Sequence, residues 1–348
     1  MRLIKVICFS VIICTAAGCT KQEVNPGPAG CVLPVPEHFP EPVFDTGNPM
    51  TAEGVALGRM LFYDARLSGN NKVSCASCHE QKLAFSDGVV FSKAGVAGTA
   101  LLRHSPALIN LAWANNGLFW DGGSTNLESQ VFGPLTAHDE MSQDLYELID
   151  ELNTAPDYVR HFETAFDDGL TIQNVSKALA QFQRTLISAD SRYDRFQLKK
   201  PGGILADIEQ RGLELVKQKC QGCHGGELFT DNNYHNNGLD SDFTNTEHEG
   251  LYLGRYRISY ELADLGKYKT PTLRNTELTA PYMHDGRFGT LEEVVEHYSS
   301  GIRNSNTLEP RLPAGGMQLT AADKAAIVSF LKTLTDHSFI SNPDLQKP

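Results

Sequence analysis

Apolar residues recur at intervals of three and four along Leu145 to Leu152, Val175 to Leu186, Ile208 to Lys219, Leu291 to Tyr298 and Ala321 to Leu334. That period puts them on one face of an α-helix, so each stretch is expected to be an amphipathic helix packed on a core. Thr290 and Thr320 stand just ahead of two of these runs, where their hydroxyls can cap the first turn. No run alternates in steps of two, so no substantial strand is expected. Pro201-Gly202-Gly203 interrupts the periodicity ahead of the third run, which predicts a domain boundary near residue 200.

The first residues follow a different pattern. Arg2 and Lys5 precede an apolar run from Val6 to Ala17 that ends in Ala16-Ala17-Gly18-Cys19, the form of a signal peptide and its cleavage site. The run is too short to span a bilayer. Cysteine directly after the small residues resembles a bacterial lipobox, so Cys19 is expected to carry a lipid anchor, the alternative being ordinary secretory cleavage nearby. Pro26, Pro28, Pro34, Pro36, Pro40 and Pro42 then crowd a stretch of little periodicity, which reads as a tether over 19–45.

The chain has 348 residues, 41% of them hydrophobic, enough for about two domains with their own cores. Its 30 basic and 42 acidic residues give a net charge of −12. Removing residues 1–18 takes away Arg2 and Lys5 and deepens the imbalance. Nucleic acid is therefore excluded as a natural partner, and a cationic protein fits better.

The eight cysteines divide by position. Cys8 and Cys14 leave with the signal, Cys19 takes the lipid, and Cys31 is a thiol in the tether. The remaining four form Cys75-Ala76-Ser77-Cys78-His79 and Cys220-Gln221-Gly222-Cys223-His224. In C-x-x-C-H two thiols add to the vinyl groups of a haem while the adjacent histidine reaches its iron. A zinc ribbon would need its pairs about 15–20 residues apart, far closer than these. A thioredoxin-like pair would have no use for His79 and His224. Covalent haem attachment also agrees with export. The expected fold is mainly α: two cytochrome c-like helical domains, each carrying one covalently attached c-type haem. They are 46–200 and 201–338, followed by a tail, 339–348.

A longer set of motifs makes a family resemblance specific. Leu57-Gly58-Arg59 and Asp64-Ala65-Arg66-Leu67-Ser68 precede the first C-x-x-C-H. Ala84-Phe85-Ser86-Asp87-Gly88, Arg103-His104-Ser105-Pro106, Phe119-Trp120-Asp121-Gly122, Gly133-Pro134 and Glu140-Met141 follow it. Thr270-Pro271-Thr272-Leu273-Arg274-Asn275 and Leu278-Thr279-Ala280-Pro281-Tyr282-Met283-His284-Asp285-Gly286 follow the second. From about Pro49 through Leu334 the chain resembles the bacterial di-haem cytochrome c peroxidases, the superfamily that includes the MauG-type maturases.

The resemblance implies that the two haem domains face each other across an interface and that the first haem is the peroxide site. Many members place there a second, displaceable histidine ligand, at the position that Val96 occupies here. Valine cannot bind iron, so this haem is expected to be open at rest, unless a shifted loop makes His104 the ligand. Gln130 and Glu140 match the polar pair over the open face, with Glu140 as acid-base group and Gln130 as orienting donor; the bland alternative for Glu140 is a turn cap after His138-Asp139. Trp120 matches the residue that carries electrons between the haems. For the second haem the family supplies methionine or tyrosine, and Tyr298 falls at that position, with Met283, His284, His297 and Met317 as other candidates. Thr279 and Pro281 match two carbonyl donors of a calcium ion, but His104 replaces the asparagine of that site, and imidazole suits a hard cation poorly.

The resemblance therefore implies a periplasmic or cell-envelope enzyme with two haem c groups and one calcium. It would reduce hydrogen peroxide with electrons from a small cytochrome c or cupredoxin, and a homodimer is compatible with it. A MauG-like oxidase acting on a protein, and a non-catalytic electron carrier, are the competing functions.

Overall fold

The computed structural model describes residues 33–42, 47–244 and 252–348. The signal segment, Cys19, Cys31 and part of the tether lie outside the described residues. The chain is mainly helical, and the five periodic stretches are helices: Leu145–Asn153, Ile172–Arg184, Asp207–Lys219, Leu291–Glu296 and Ala321–Lys332. Thr290 and Thr320 accept hydrogen bonds from the backbone N–H groups of Glu293 and Asp323, closing a capping box at each helix start. The run through Tyr298 does not stay α-helical; after Glu296 it widens into a π turn over His297–Gly301. The only named strands among the described residues are Tyr234–His235 and Tyr268–Lys269, an antiparallel pair too short to show a period of two.

Helices also form where no run stood out: Ala52–Phe62, Pro156–Ala165, Arg192–Gln197 and His337–Ser341. Gly54 and Gly58 lower the intrinsic propensity of the first, but tertiary packing selects them. A Cβ on Gly58 would lie 1.9 Å from the carbonyl oxygen of Ala178, and one on Gly212 would lie 2.0 Å from that of Ala326. Each glycine thus lets two helices cross in backbone contact: Ala52–Phe62 on Ile172–Arg184, and Asp207–Lys219 on Ala321–Lys332.

Each crossing sits in its own apolar cluster. The first draws on Leu57, Leu61, Phe62, Phe85, Leu179 and Phe182. The second draws on Leu213, Val216, Phe229, Leu291, Val295 and Phe330. The closing segment, expected as a tail, is not loose. Phe339 and Leu345 pack into the first cluster, and Arg59 donates to the carbonyls of Pro343 and Gln346. The described part of the tether is likewise anchored: Leu33 and Phe39 are buried with Trp113, whose indole N–H donates to Pro40 O at 2.6 Å.

Candidate active site

The first C-x-x-C-H is bent into a short 3-10 turn, Cys75–Ser77. His79 Nδ1 lies 2.8 Å from the carbonyl oxygen of Phe85, itself held in the left-handed region at φ 59°. A carbonyl only accepts, so Nδ1 carries the proton and Nε2 is left with the lone pair that binds metal. Burial also holds the His79 pKa below the usual histidine range, which keeps the ring neutral as a ligand must be. Cys75 and Cys78 are not joined to one another, which leaves both sulfurs for attachment. These features fit a covalently attached haem.

A cavity of about 630 Å³ opens beside this motif, lined by Cys75, Cys78, His79, Gly95, Gln130 and Glu140 among others. The structure thus gathers the expected polar pair at the first motif. Burial, reinforced by the charge of Asp139, pushes the Glu140 carboxyl up to about 7, so its proton can be taken and returned near neutral pH. Val96 packs against the first apolar cluster, and its N–H donates to Glu140 O at 2.6 Å. His104 lines a different cavity; its Nδ1 is 2.9 Å from Val89 O.

The second motif leaves the C-terminal end of the Asp207–Lys219 helix, with Cys220 as its cap. His224 repeats the arrangement of His79: Nδ1 lies 3.1 Å from the carbonyl oxygen of Phe229, again at positive φ, 51°. Burial lowers its pKa as well. Asn237 Nδ2 lies 3.3 Å from Tyr298 Oη and 3.5 Å from Met283 Sδ, so those two candidate ligands converge on one amide. Burial first, then the nearby Cys220 and Cys223, push the Tyr298 phenol up to about 12. A phenolate there therefore needs a cation to draw off the proton. Of the other candidates, His297 Nε2 lies 3.0 Å from Asn237 O, His284 stacks on Tyr268 at 3.6 Å, and Met317 N–H donates to Tyr298 O.

A larger cavity, about 1200 Å³, is lined by residues from both clusters' sides of the chain, among them His104, Trp120, Gln130, Thr279, Pro281 and Met283. Leu108 and Gln130 line both cavities, so the two spaces share a wall. Trp120 is fixed by its indole N–H, which donates to His104 O at 2.8 Å, and by Lys269 N–H, which donates to Trp120 O. The calcium set fits less well. The His104 carbonyl is taken by Trp120, its ring faces Val89, and none of the residues 104, 279 and 281 offers a carboxylate. Sequence reasoning missed Asn237, which in Asn236-Asn237-Gly238 reads only as a turn. It also missed the gathering of Cys223, Asp231 and His235, whose ligand atoms all lie within 4.8 Å of one another.

Residues 52–201 match the family model described as di-haem cytochrome c peroxidase. Over 305 residues the chain is 37% identical to the methylamine utilization protein MauG of Methylorubrum extorquens, covering 86% of this chain and 82% of that one. The chain belongs to the di-haem cytochrome c peroxidase family. Within that family it is 33% identical to the cytochrome-c peroxidase IdrP2 of Denitromonas iodatirespirans over 82% of both chains. Among solved structures, a MauG-like protein associated with microbial copper homeostasis superposes with a TM-score of 0.84 at 34% identity, over 92% of this chain and 99% of that one. The diheme peroxidase BthA of Burkholderia thailandensis shares the fold, with a TM-score of 0.70 at 23% identity over 85% of this chain and 90% of that one. Among the described residues no helix is long and apolar enough to cross a membrane.

Proposed function

We propose that this member of the family is a cytochrome c peroxidase that reduces hydrogen peroxide to two waters, taking up two electrons and two protons. The observation that carries this reading is Glu140, whose carboxyl is raised to about 7, in the same cavity as His79. Cys75, Cys78 and His79 would hold a haem, which would supply the redox centre for peroxide reduction. Glu140 takes the proton from one peroxide oxygen and returns it to the other, and Gln130 donates a hydrogen bond that orients the molecule. Cys220, Cys223 and His224 would hold the second haem, and Tyr298, with Met283 as the competitor, would supply its further ligand. Trp120, on the cavity that adjoins the first through Leu108 and Gln130, links the two sites.

The divisions at 46–200 and 201–338 belong to this proposal, as do export, the lipid anchor on Cys19 and a small cytochrome or cupredoxin as donor. Calcium carries no step in it, because the residues expected to hold it leave an incomplete oxygen shell. The experiment is stopped-flow mixing of the fully oxidised holoprotein with peroxide. A rapid reaction, followed by steady turnover with a reduced small cytochrome, supports the reading; no reaction until the second haem is reduced overturns the open first site.

A second reading, oxidation of a protein substrate as in the maturases, draws on Val96 and on the placement of Tyr298 against Cys220 and Cys223. It predicts a long-lived oxidised species and poor turnover with a cytochrome. A simple electron carrier predicts that Glu140 is dispensable.

A further inference from the structure

The loop 92–101 lies over the first cavity and is fastened at three points. Leu101 N–H donates to Ser92 O at 2.9 Å, which closes the loop on itself. The Ser92 hydroxyl is 3.4 Å from Cys78 Sγ, which ties the loop to the attachment motif. Val96 N–H donates to Glu140 O at 2.6 Å, which ties it to the acid-base residue. Gly95, Leu101 and Glu140 line the same cavity.

Gly95 makes the last contact feasible. A Cβ there would lie 1.8 Å from Asp139 O and 3.0 Å from Glu140 O. Gly95 is absent from the positive-φ glycines, so its requirement is space and not an unusual backbone conformation. Any larger residue must push the Asp139–Glu140 main chain away from the loop. The carboxylate would move with it, and displacement of a reacting group by about 1 Å can slow a reaction about a hundredfold.

We infer that Gly95 is a positioning residue: through the Val96 hydrogen bond the loop 92–101 is a clasp that sets the Glu140 main chain, and so its carboxylate, relative to the Cys78-bound group. The segment that could have carried a displaceable ligand is instead committed to holding the proton carrier. This inference rests on the acid-base reading of Glu140 given above.

The test compares wild-type holoprotein with Gly95→Ala, Glu140→Gln and the double variant, by peroxide stopped-flow across pH and by hydrogen exchange at the Val96 amide. Gly95→Ala is expected to lose Val96 protection, to react at least about tenfold more slowly and to shift the pH midpoint. The double variant is expected to be no slower than Glu140→Gln, because both changes act through one group. A wild-type rate and midpoint in Gly95→Ala despite an exposed Val96 amide, or a double variant much slower than Glu140→Gln, would overturn the clasp. Glu140→Gln reacting as fast as wild type would instead overturn the acid-base reading, independently of Gly95. Where Gly95→Ala fails to accumulate as holoprotein, Val96→Pro, which removes the donating N–H itself, is read by peroxide rate and pH midpoint alone, and a wild-type rate and midpoint would overturn the clasp.

Discussion

The two C-x-x-C-H motifs share their near side and differ on their far side. In both, the histidine Nδ1 is tied to the carbonyl of a buried phenylalanine at positive φ, Phe85 or Phe229, leaving Nε2 for iron. Gln130 and Glu140 line the cavity beside the first; near the second, Tyr298 and Met283 meet at Asn237. The histidine–carbonyl contact is thus a repeated local device. The chemistry proposed at each motif depends on residues from 51 to 74 positions beyond the histidine, brought in by the fold.

The most direct way to break this comparison is to remove the proton carrier from one side only. Glu140→Gln is expected to slow the reaction with peroxide by about 10²–10⁴-fold while leaving the absorption signature of the second haem unchanged. Because the carboxylate form takes the proton, the wild-type rate should climb as pH rises through about 7, and the variant's rate should lack that step. Stability should run the other way. A carboxyl whose folded pKa is raised favours the fold while protonated, and that contribution is lost as pH rises from 4.5 through about 7. Thermal melts of wild type should show that decline, and Glu140→Gln should show less of it. An equal loss of reactivity at all pH values would assign Glu140 a structural role.

Tyr298→Phe addresses the other side. Loss of the native second-haem spectrum with retained peroxide binding at the first would sharpen the contrast; an unchanged spectrum would move the ligand to Met283. The phenol, raised to about 12 by burial, should also ionise only in holoprotein, which tyrosinate absorption at neutral pH can check.

How far this arrangement could be read from the sequence varied with the range of the interactions. Helices with strong periodicity were legible because their cores are local in pattern, and the two C-x-x-C-H motifs stood out because their cysteines and histidine are adjacent in sequence. The Ala52–Phe62 helix was obscured by the glycines that its crossing requires. The π turn over His297–Gly301 was obscured because a widened turn leaves no trace in apolar spacing. The shared wall of Leu108 and Gln130, the convergence of Asn237 on two candidate ligands and the docking of Phe339 on the first cluster depend on tertiary approach alone.

The helix crossings allow a like-for-like test of the two halves. Gly58→Ala and Gly212→Ala each place a methyl about 2 Å from a backbone carbonyl, and each is expected to cost about 1–3 kcal/mol by overpacking. Denaturant melts of the holoprotein should show both losses. Peroxide reactivity should fall only with Gly58→Ala if strain stays within each cluster. Equal effects on reactivity would mean that the two clusters transmit strain to one another.

The smallest expected effect concerns the helix that carries Tyr298 toward the second motif. Thr290 Oγ1 accepts from Glu293 N–H at 3.2 Å, and the Glu293 carboxylate accepts in return from the N–H groups of Gly289 and Thr290. Thr290→Ala removes one half of this box and should cost about 1 kcal/mol, visible as a Tm lower by a few degrees. Tyr298 lies beyond that helix, in the π turn, where Asn237 contacts its hydroxyl and Met317 N–H donates to its carbonyl. The cap variant should therefore weaken the helix without altering the second-haem spectrum. A spectral change from so distant a cap would show that the helix start, and not the contacts around the π turn, sets the position of Tyr298.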